Sequence, residues 1–343
     1  MFNQNFKNMN KELLFQLYKL HSPSGCEKKM RKFLKRMARA CNADKIEQDA
    51  HGNIFITKGF SDTYPCLASH MDQVQHAHSK DFVCVEGEDV VFGYSPKSHE
   101  QQGLGADDKN GIYICLECLK KYDVLKVAFF VGEETGCVGS RACDLGFFSD
   151  CRFVIEPDRR GNGDLITSMM CGEVCSKEFI NAISPFAKAH GYSEEHGSIT
   201  DVGELVERYV GISCLNLSCG YYEAHTDHEF TVLSELQNCL ELVQEIIENC
   251  TDVYPFTYTS LSYGRGYGRH MPSFRDYNEQ LDEEARQDFE NILMYHPQTT
   301  FEEALYYLSW DVIGNVSSFK LQGIFEECKS LYLEADEELP VVS

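Results

Sequence analysis

Positive charge is scarce in this chain. Its 343 residues hold 31 Lys and Arg against 54 Asp and Glu, a net charge of −23. That balance argues against nucleic acid and anionic membrane surfaces as partners, since both would be repelled. No run is long and apolar enough to cross a bilayer, and the opening MFNQNFKNMNKELLF has no apolar core of the kind a secretory signal needs. The 16 cysteines lack the spacing of a disulfide scaffold, so reduced thiols in a cytoplasmic setting are expected. Cys115 and Cys118 form a CxxC, but inside an apparent helix where both share a face, which suits buried small hydrophobes better than a zinc knuckle. No internal repeat is evident.

The length suits one large α/β domain with an appendage, or two domains. Apolar residues at helical spacing predict helices over 10–20 (Leu13, Leu14, Leu17, Leu20) and over about 27–40 (Met30, Phe33, Leu34, Met37). KIEQDAHGNIFITKG predicts a hairpin turning at HGN, and PCLASHMD, VLKVAFFVGEE and CRFVIEPD predict buried strands. A helix is expected from Asp108 to Lys121, another from Cys175 to His190 with a kink or break at Pro185, and a long one from Leu233 to Cys250. Strands alternating with helices imply an α/β fold whose ligand crevice lies past the strand C-termini. After Cys250 the texture changes to an aromatic and Gly-rich linker. From Asp276 to Ser343 there are then 16 acidic and 3 basic residues. We therefore expect a domain over 1–250 and a linker with an acidic helical extension over 251–343.

Acidic and imidazole side chains gather in short motifs, several of them at the ends of apolar runs: His70 and Asp72 in ASHMD, Asp107 and Asp108 in LGADDKNG, Glu133 and Glu134 in FFVGEETG, Asp158 in VIEPD, His225 in YYEAHTDHE. Adjacent carboxylates at the end of a buried strand are costly unless something positive holds them, and this N/O donor set suits zinc. A paired-metal hydrolase needs a carboxylate shared by two ions, terminal ligands on each, and a free base. Asp107, in a Gly-rich turn at a helix start, could bridge. Of Glu133 and Glu134, one can bind metal while the other serves as base. Asp72 could accept from the second ring nitrogen of His70.

The order HxD, GADDKxG, GEETG, EPD and HTxxE, over roughly residues 10–250, resembles the co-catalytic zinc peptidases, a superfamily with peptidase T-like and carboxypeptidase G-like enzymes and bacterial zinc aminopeptidases. The resemblance implies a mixed, mostly parallel central sheet with helices on both faces. It implies two Zn²⁺, with Co²⁺ or Mn²⁺ also acceptable, one held by His70 and Asp158, the other by Glu134 and His225, with Asp107 bridging. Glu133 would be the general acid/base, Asp72 would orient His70, and the Asp107–Asp108 peptide would be cis. Tyr221 and Tyr222 are candidates for oxyanion or substrate contacts. Only 66 residues separate Asp158 from His225, and two expected strands and two expected helices already occupy them, which leaves no room for the lid domain of at least ~50 residues that peptidase T-like members insert there.

The implied activity is that of an exopeptidase, most simply an aminopeptidase. Two alternatives stay open: a di-zinc amidase or deacylase acting on N-acyl amino acids, and a non-catalytic metal-binding or assembly protein, which would be expected to lack Glu133. Within the motifs, Glu156 competes with Asp158 and His228 with His225. His76, His78 and His99 suit surface or subsite roles, and Asp108 suits a turn. Arg159 and Arg160 either reach a substrate carboxylate or pair with the acidic surface. Oligomeric state is not readable.

Overall fold

The structure, a computed structural model, describes residues 9–75, 78–169, 172–259 and, toward the C-terminus, 285–286, 289–290, 292–293, 299–305, 308, 316 and 318–337. The chain divides into two compact units, Met1–Ser262 and Tyr263–Ser343.

The first unit is built on a nine-stranded mixed sheet. Four neighbouring strands at its centre run parallel: Leu125–Phe130, Tyr64–His70, Cys151–Arg159 and Cys214–Ser218. The hairpin Lys45–Gln48/Ile54–Lys58 adds antiparallel to Leu125–Phe130. On the other side Asp164–Met169 runs antiparallel to Cys214–Ser218 and carries Gly172–Glu173 and Ser193–His196. Strands covered on both faces are mainly apolar rather than alternating, and Tyr64–His70, Leu125–Phe130 and Cys214–Ser218 are buried at every position. Successive side chains still go to opposite faces. Leu67, Val127, Phe129, Phe153 and Ile155 pack under the helices Lys11–Tyr18, Lys28–Ala40, Ala106–Lys121, Lys177–Ala189 and Leu233–Asn249. Cys66, Ala68, Ala128, Phe130 and Val154 pack against Val202, Leu205 and Val206 of the helix Asp201–Glu207 on the other face. Mixed sheet and two-sided helical cover are as the sequence led us to expect.

Local chemistry accounts for the element ends. Asn10 caps the first helix by accepting the Leu13 N–H. The Asp49 carboxylate gathers the N–H groups of His51, Gly52 and Asn53 and so makes the hairpin turn. Of the kink or break expected at Pro185, the break does not occur, and that residue lies inside the helix Lys177–Ala189. Ser176 caps it, and Phe179, Ile183 and Ala187, buried on one stripe, outweigh the missing hydrogen bond. Five further strands stand apart from the main sheet. Val83–Glu86, Val90–Ser95 and Glu100–Gln102 pair with Phe230–Val232 and Tyr221–Tyr222 in a separate five-stranded antiparallel sheet.

All described cysteines are free thiols. No helix among the described residues is long and apolar enough to cross a membrane. The second unit, taken by itself, has the helices Phe301–Leu305 and Ser318–Glu337 and a small core in which Phe289 meets Phe325 edge-on. The segment read as a linker lies, from residue 260, outside the described residues.

Candidate metal centre

The C-terminal ends of the parallel strands carry the cluster. His70 ends its strand, fully buried, and its Nε2 lies 3.0 Å from Asp107 Oδ1, 3.5 Å from Asp158 Oδ1 and 3.9 Å from Glu133 Oε2. His225 Nε2 lies 3.0 Å from Glu134 Oε2 and 3.3 Å from Asp107 Oδ2. Asp107 thus offers one oxygen to each histidine. The arrangement is two half-sites, His70 with Asp158 and His225 with Glu134, sharing Asp107. Donor atoms of His70, Asp107 and Glu134 all fall within 4.8 Å of one another, as do those of His70, Asp108 and Asp158. Asp108 nonetheless serves the backbone, accepting from the Gly111 N–H (2.9 Å) and the His70 N–H (3.4 Å).

The turn that delivers Asp107 is held from a distance. Gly105 adopts φ 62°, ψ 42°, and the Asp107–Asp108 peptide is cis. The fully buried Glu229 carboxylate accepts from the N–H groups of Gly105 (2.5 Å) and Asp107 (3.1 Å). Gly111 is required because a Cβ there would lie 2.4 Å from both Asp108 carboxylate oxygens and 2.6 Å from the Pro157 carbonyl. Sequence reading used Glu229 only as a spacing mark and missed its task. It also missed Ser24, whose hydroxyl donates to Asp72 (2.7 Å). Asp72 takes the Glu133 N–H at 3.1 Å and faces His70 Nδ1 at 3.5 Å, and that ring nitrogen lies closer, 3.1 Å, to the Asp72 carbonyl.

The competing candidates fall elsewhere. Glu156 turns one oxygen to the Val202 N–H at the start of the helix Asp201–Glu207. His228 is exposed beside Gln101, His99 beside Tyr94, and His78 contacts the Gly103 carbonyl and stacks on Phe82. His76 lies outside the described residues. Arg159 pairs with Asp164, and Arg160 is exposed. The Tyr221 hydroxyl donates to Asp158 at 3.5 Å, whereas that of Tyr222 donates to Glu235 at 2.8 Å.

Among the described residues, no Lys or Arg lies within 4 Å of the carboxyls of Asp107, Glu133, Glu134 or Asp158; the two histidines are their only cationic partners. Burial pushes Glu133, Glu134 and Asp158 up, and neighbouring carboxylates add to it. Burial would raise Asp107 too, but the hydrogen bonds from His225 and His70 outweigh it and hold it below the usual range. Burial opposes charge on His70 and His225, yet Asp158 and Asp107 push the first up, and Glu134 and Asp107 push the second up to about 11. Glu134 Oε1 is buried with no hydrogen-bond partner. A crowd of oxygen donors, two imidazoles and an orphaned carboxylate oxygen fit divalent cations.

These shifts carry a pH sign. A folded-state value above the unfolded one means the native metal-free protein holds protons that the unfolded chain has released, so stability falls as pH rises. The share of His225 is complete below its ordinary 6.5 and gone once the pH passes about 11. The raised carboxyls act in the same direction. Asp107, shifted down, loses its contribution only in acid, below its ordinary 3.8. Metal-free protein is therefore expected to lose urea resistance from about pH 6 to about pH 10, and bound divalent metal to flatten that slope. Urea midpoints with and without chelator check this; a midpoint rising with pH in chelator would contradict it.

No protein-family model and no curated protein sequence matches the chain. Solved structures do. Aminopeptidase PepT from Bacillus cereus superposes with a TM-score of 0.59 at 16% identity, over 72% of this chain and 99% of that one. A tripeptidase from Staphylococcus aureus gives 0.58 at 16%, over 72% and 98%. A TET aminopeptidase from a marine-sediment Thaumarchaeota archaeon gives 0.54 at 14%, over 71% and 97%. Likeness at these identities is one of architecture, and by it the chain has the fold of these aminopeptidases.

Proposed function

We propose that this chain is a two-metal exopeptidase that removes residues from the free amino end of peptides. The observation that carries the proposal is Asp107 shared between two histidine–carboxylate half-sites, with Glu133 beside the cluster and farther from His70, at 3.9 Å, than Asp107 or Asp158. His70 and Asp158 would hold one ion and Glu134 and His225 the other, zinc by donor type, with cobalt or manganese also accommodated. Bound there, the ions would supply carbonyl polarisation and a water acidified toward about pH 7.

The protein's own groups do the rest. Glu133 takes the proton of the attacking water and returns it to the departing amine. Asp72 holds the Glu133 main chain and faces the His70 ring, so base and ligand keep one geometry. Tyr221, whose hydroxyl donates to Asp158, is the tyrosine we favour for a contact with substrate oxygen. The 66 residues between Asp158 and His225 form sheet strands and the helices Lys177–Ala189 and Asp201–Glu207, which supports a site without an inserted lid. The free thiols suit a cytoplasmic setting.

The test is metal content by mass spectrometry together with hydrolysis of free-amine aminoacyl anilides, short peptides, amine-blocked peptides and N-acyl amino acids. Two metals per chain with cleavage of free-amine substrates alone is the expected result. Cleavage confined to N-acyl amino acids would make it a deacylase. Absence of metal in protein never exposed to chelator would overturn the ligand set.

A further inference from the structure

A general base must present one carboxylate oxygen to the reacting water, and a free glutamate side chain has rotamer freedom to lose in doing so. The turn after Phe130 removes that freedom in two stages. The main chain is fixed first. Asp72 accepts the Glu133 N–H, and the Glu133 carbonyl accepts from the N–H groups of Gly136 (2.8 Å) and Cys137 (2.9 Å). Asn53 fastens both shoulders of the turn, accepting from the Val131 N–H (3.1 Å) and donating to the Gly139 carbonyl (2.9 Å).

The carboxylate is fixed next, by a single group. Cys137 Sγ donates to Glu133 Oε1 at 3.7 Å, while Oε2 faces His70 Nε2 at 3.9 Å. Among the described residues no other donor reaches the Glu133 carboxylate. The thiol is fully buried, and burial, with the charge of Glu133 beside it, pushes its pKa far above the usual thiol range, so it stays protonated and donating. Cys137 also sits at φ 54°, a backbone conformation that side-chain-bearing residues seldom adopt.

The geometry points to Cys137 as a positioning residue: its buried thiol holds Oε1 of Glu133 and leaves Oε2 turned toward the reacting atoms at His70. The inference deepens the peptidase reading and rests on it.

The experiment compares wild type, C137A, C137S and C151A, each metal-loaded, on one aminoacyl anilide. C137A is expected to lose kcat by about tenfold or more with KM and metal content unchanged. C137S is expected to recover most of the rate, because a hydroxyl also donates. Cys151 is nearly as buried and begins the strand whose other end carries Asp158; C151A is expected to keep the wild-type kcat. An unchanged kcat in C137A overturns the proposal. So does a loss that C137S fails to restore, one that C151A shares, or one accompanied by lost metal, since each marks the thiol as packing. Wild-type protein that binds two metals and cleaves nothing overturns the peptidase reading and this inference with it. Wild-type turnover with C137A unaffected overturns this inference alone.

Discussion

Replacing Glu133 by alanine is expected to slow aminoacyl-anilide hydrolysis by about 10²–10⁴-fold while both metals stay bound. Glu133 and Glu134 are neighbours in sequence but face different partners. Glu134 meets His225 at 3.0 Å and leaves a second oxygen buried without a partner. Glu133 meets a thiol and only the outer reach of His70. On the proposed reading one is a ligand and the other a mobile-proton carrier, so the two alanine variants should part company. Glu134→Ala should lose metal along with activity. Kinetics and metal analysis on the same preparations decide the matter. Metal loss in the Glu133 variant, with metal retained in the Glu134 variant, would exchange the two roles.

Replacing Glu229 by alanine is expected to weaken metal binding by about 10–100-fold, although Glu229 touches neither proposed ion. Its carboxylate accepts two backbone N–H groups of the turn that carries Asp107. Its removal leaves those buried donors unmet, at about 1–3 kcal/mol each, and frees the turn to shift. Because Asp107 faces both histidines, the two ions should weaken together. Glu229→Gln keeps an acceptor oxygen and should fall between. Competition with a chromophoric chelator gives the affinities, and urea unfolding gives the stability. Loss of one ion with the other held at wild-type affinity would show that the turn does not transmit through Asp107.

What the sequence made legible was local. His70, the Glu133–Glu134 pair and Asp158 each stand at or just past the end of a largely apolar run, and such runs become central strands for reasons visible in the run itself: in Leu125–Phe130 every residue but Lys126 is apolar. The order of strands then carries His70, Glu134, Asp158 and His225 to one edge. What stayed hidden was pairing across long sequence distances. Glu229 meets Asp107 from 122 residues away, Asn53 meets Val131 from 78, and Ser24 meets Asp72 from 48. Nothing in the composition around Glu229 or Asn53 signals such a partner, because each is an ordinary polar residue until the fold buries it. The separate five-stranded sheet was hidden for the same reason, since Val90–Ser95 finds Phe230–Val232 only through tertiary structure. At Pro185 the helix continues, since packing of its apolar stripe offsets the one hydrogen bond that proline cannot make.

The parallel centre of the sheet also acts as a ruler. Neighbouring strands lie about 4.8 Å apart wherever hydrogen bonds tie them. His70 and Asp158 come from adjacent strands, and the Glu133–Glu134 turn follows the strand on the opposite side of His70. The spans between the groups that surround His70 are therefore graduated by the backbone ladder, and side-chain torsions only interpolate between its marks. Substitutions can alter what the cluster grips, but its gauge can change only if a strand is inserted, deleted or slipped in register.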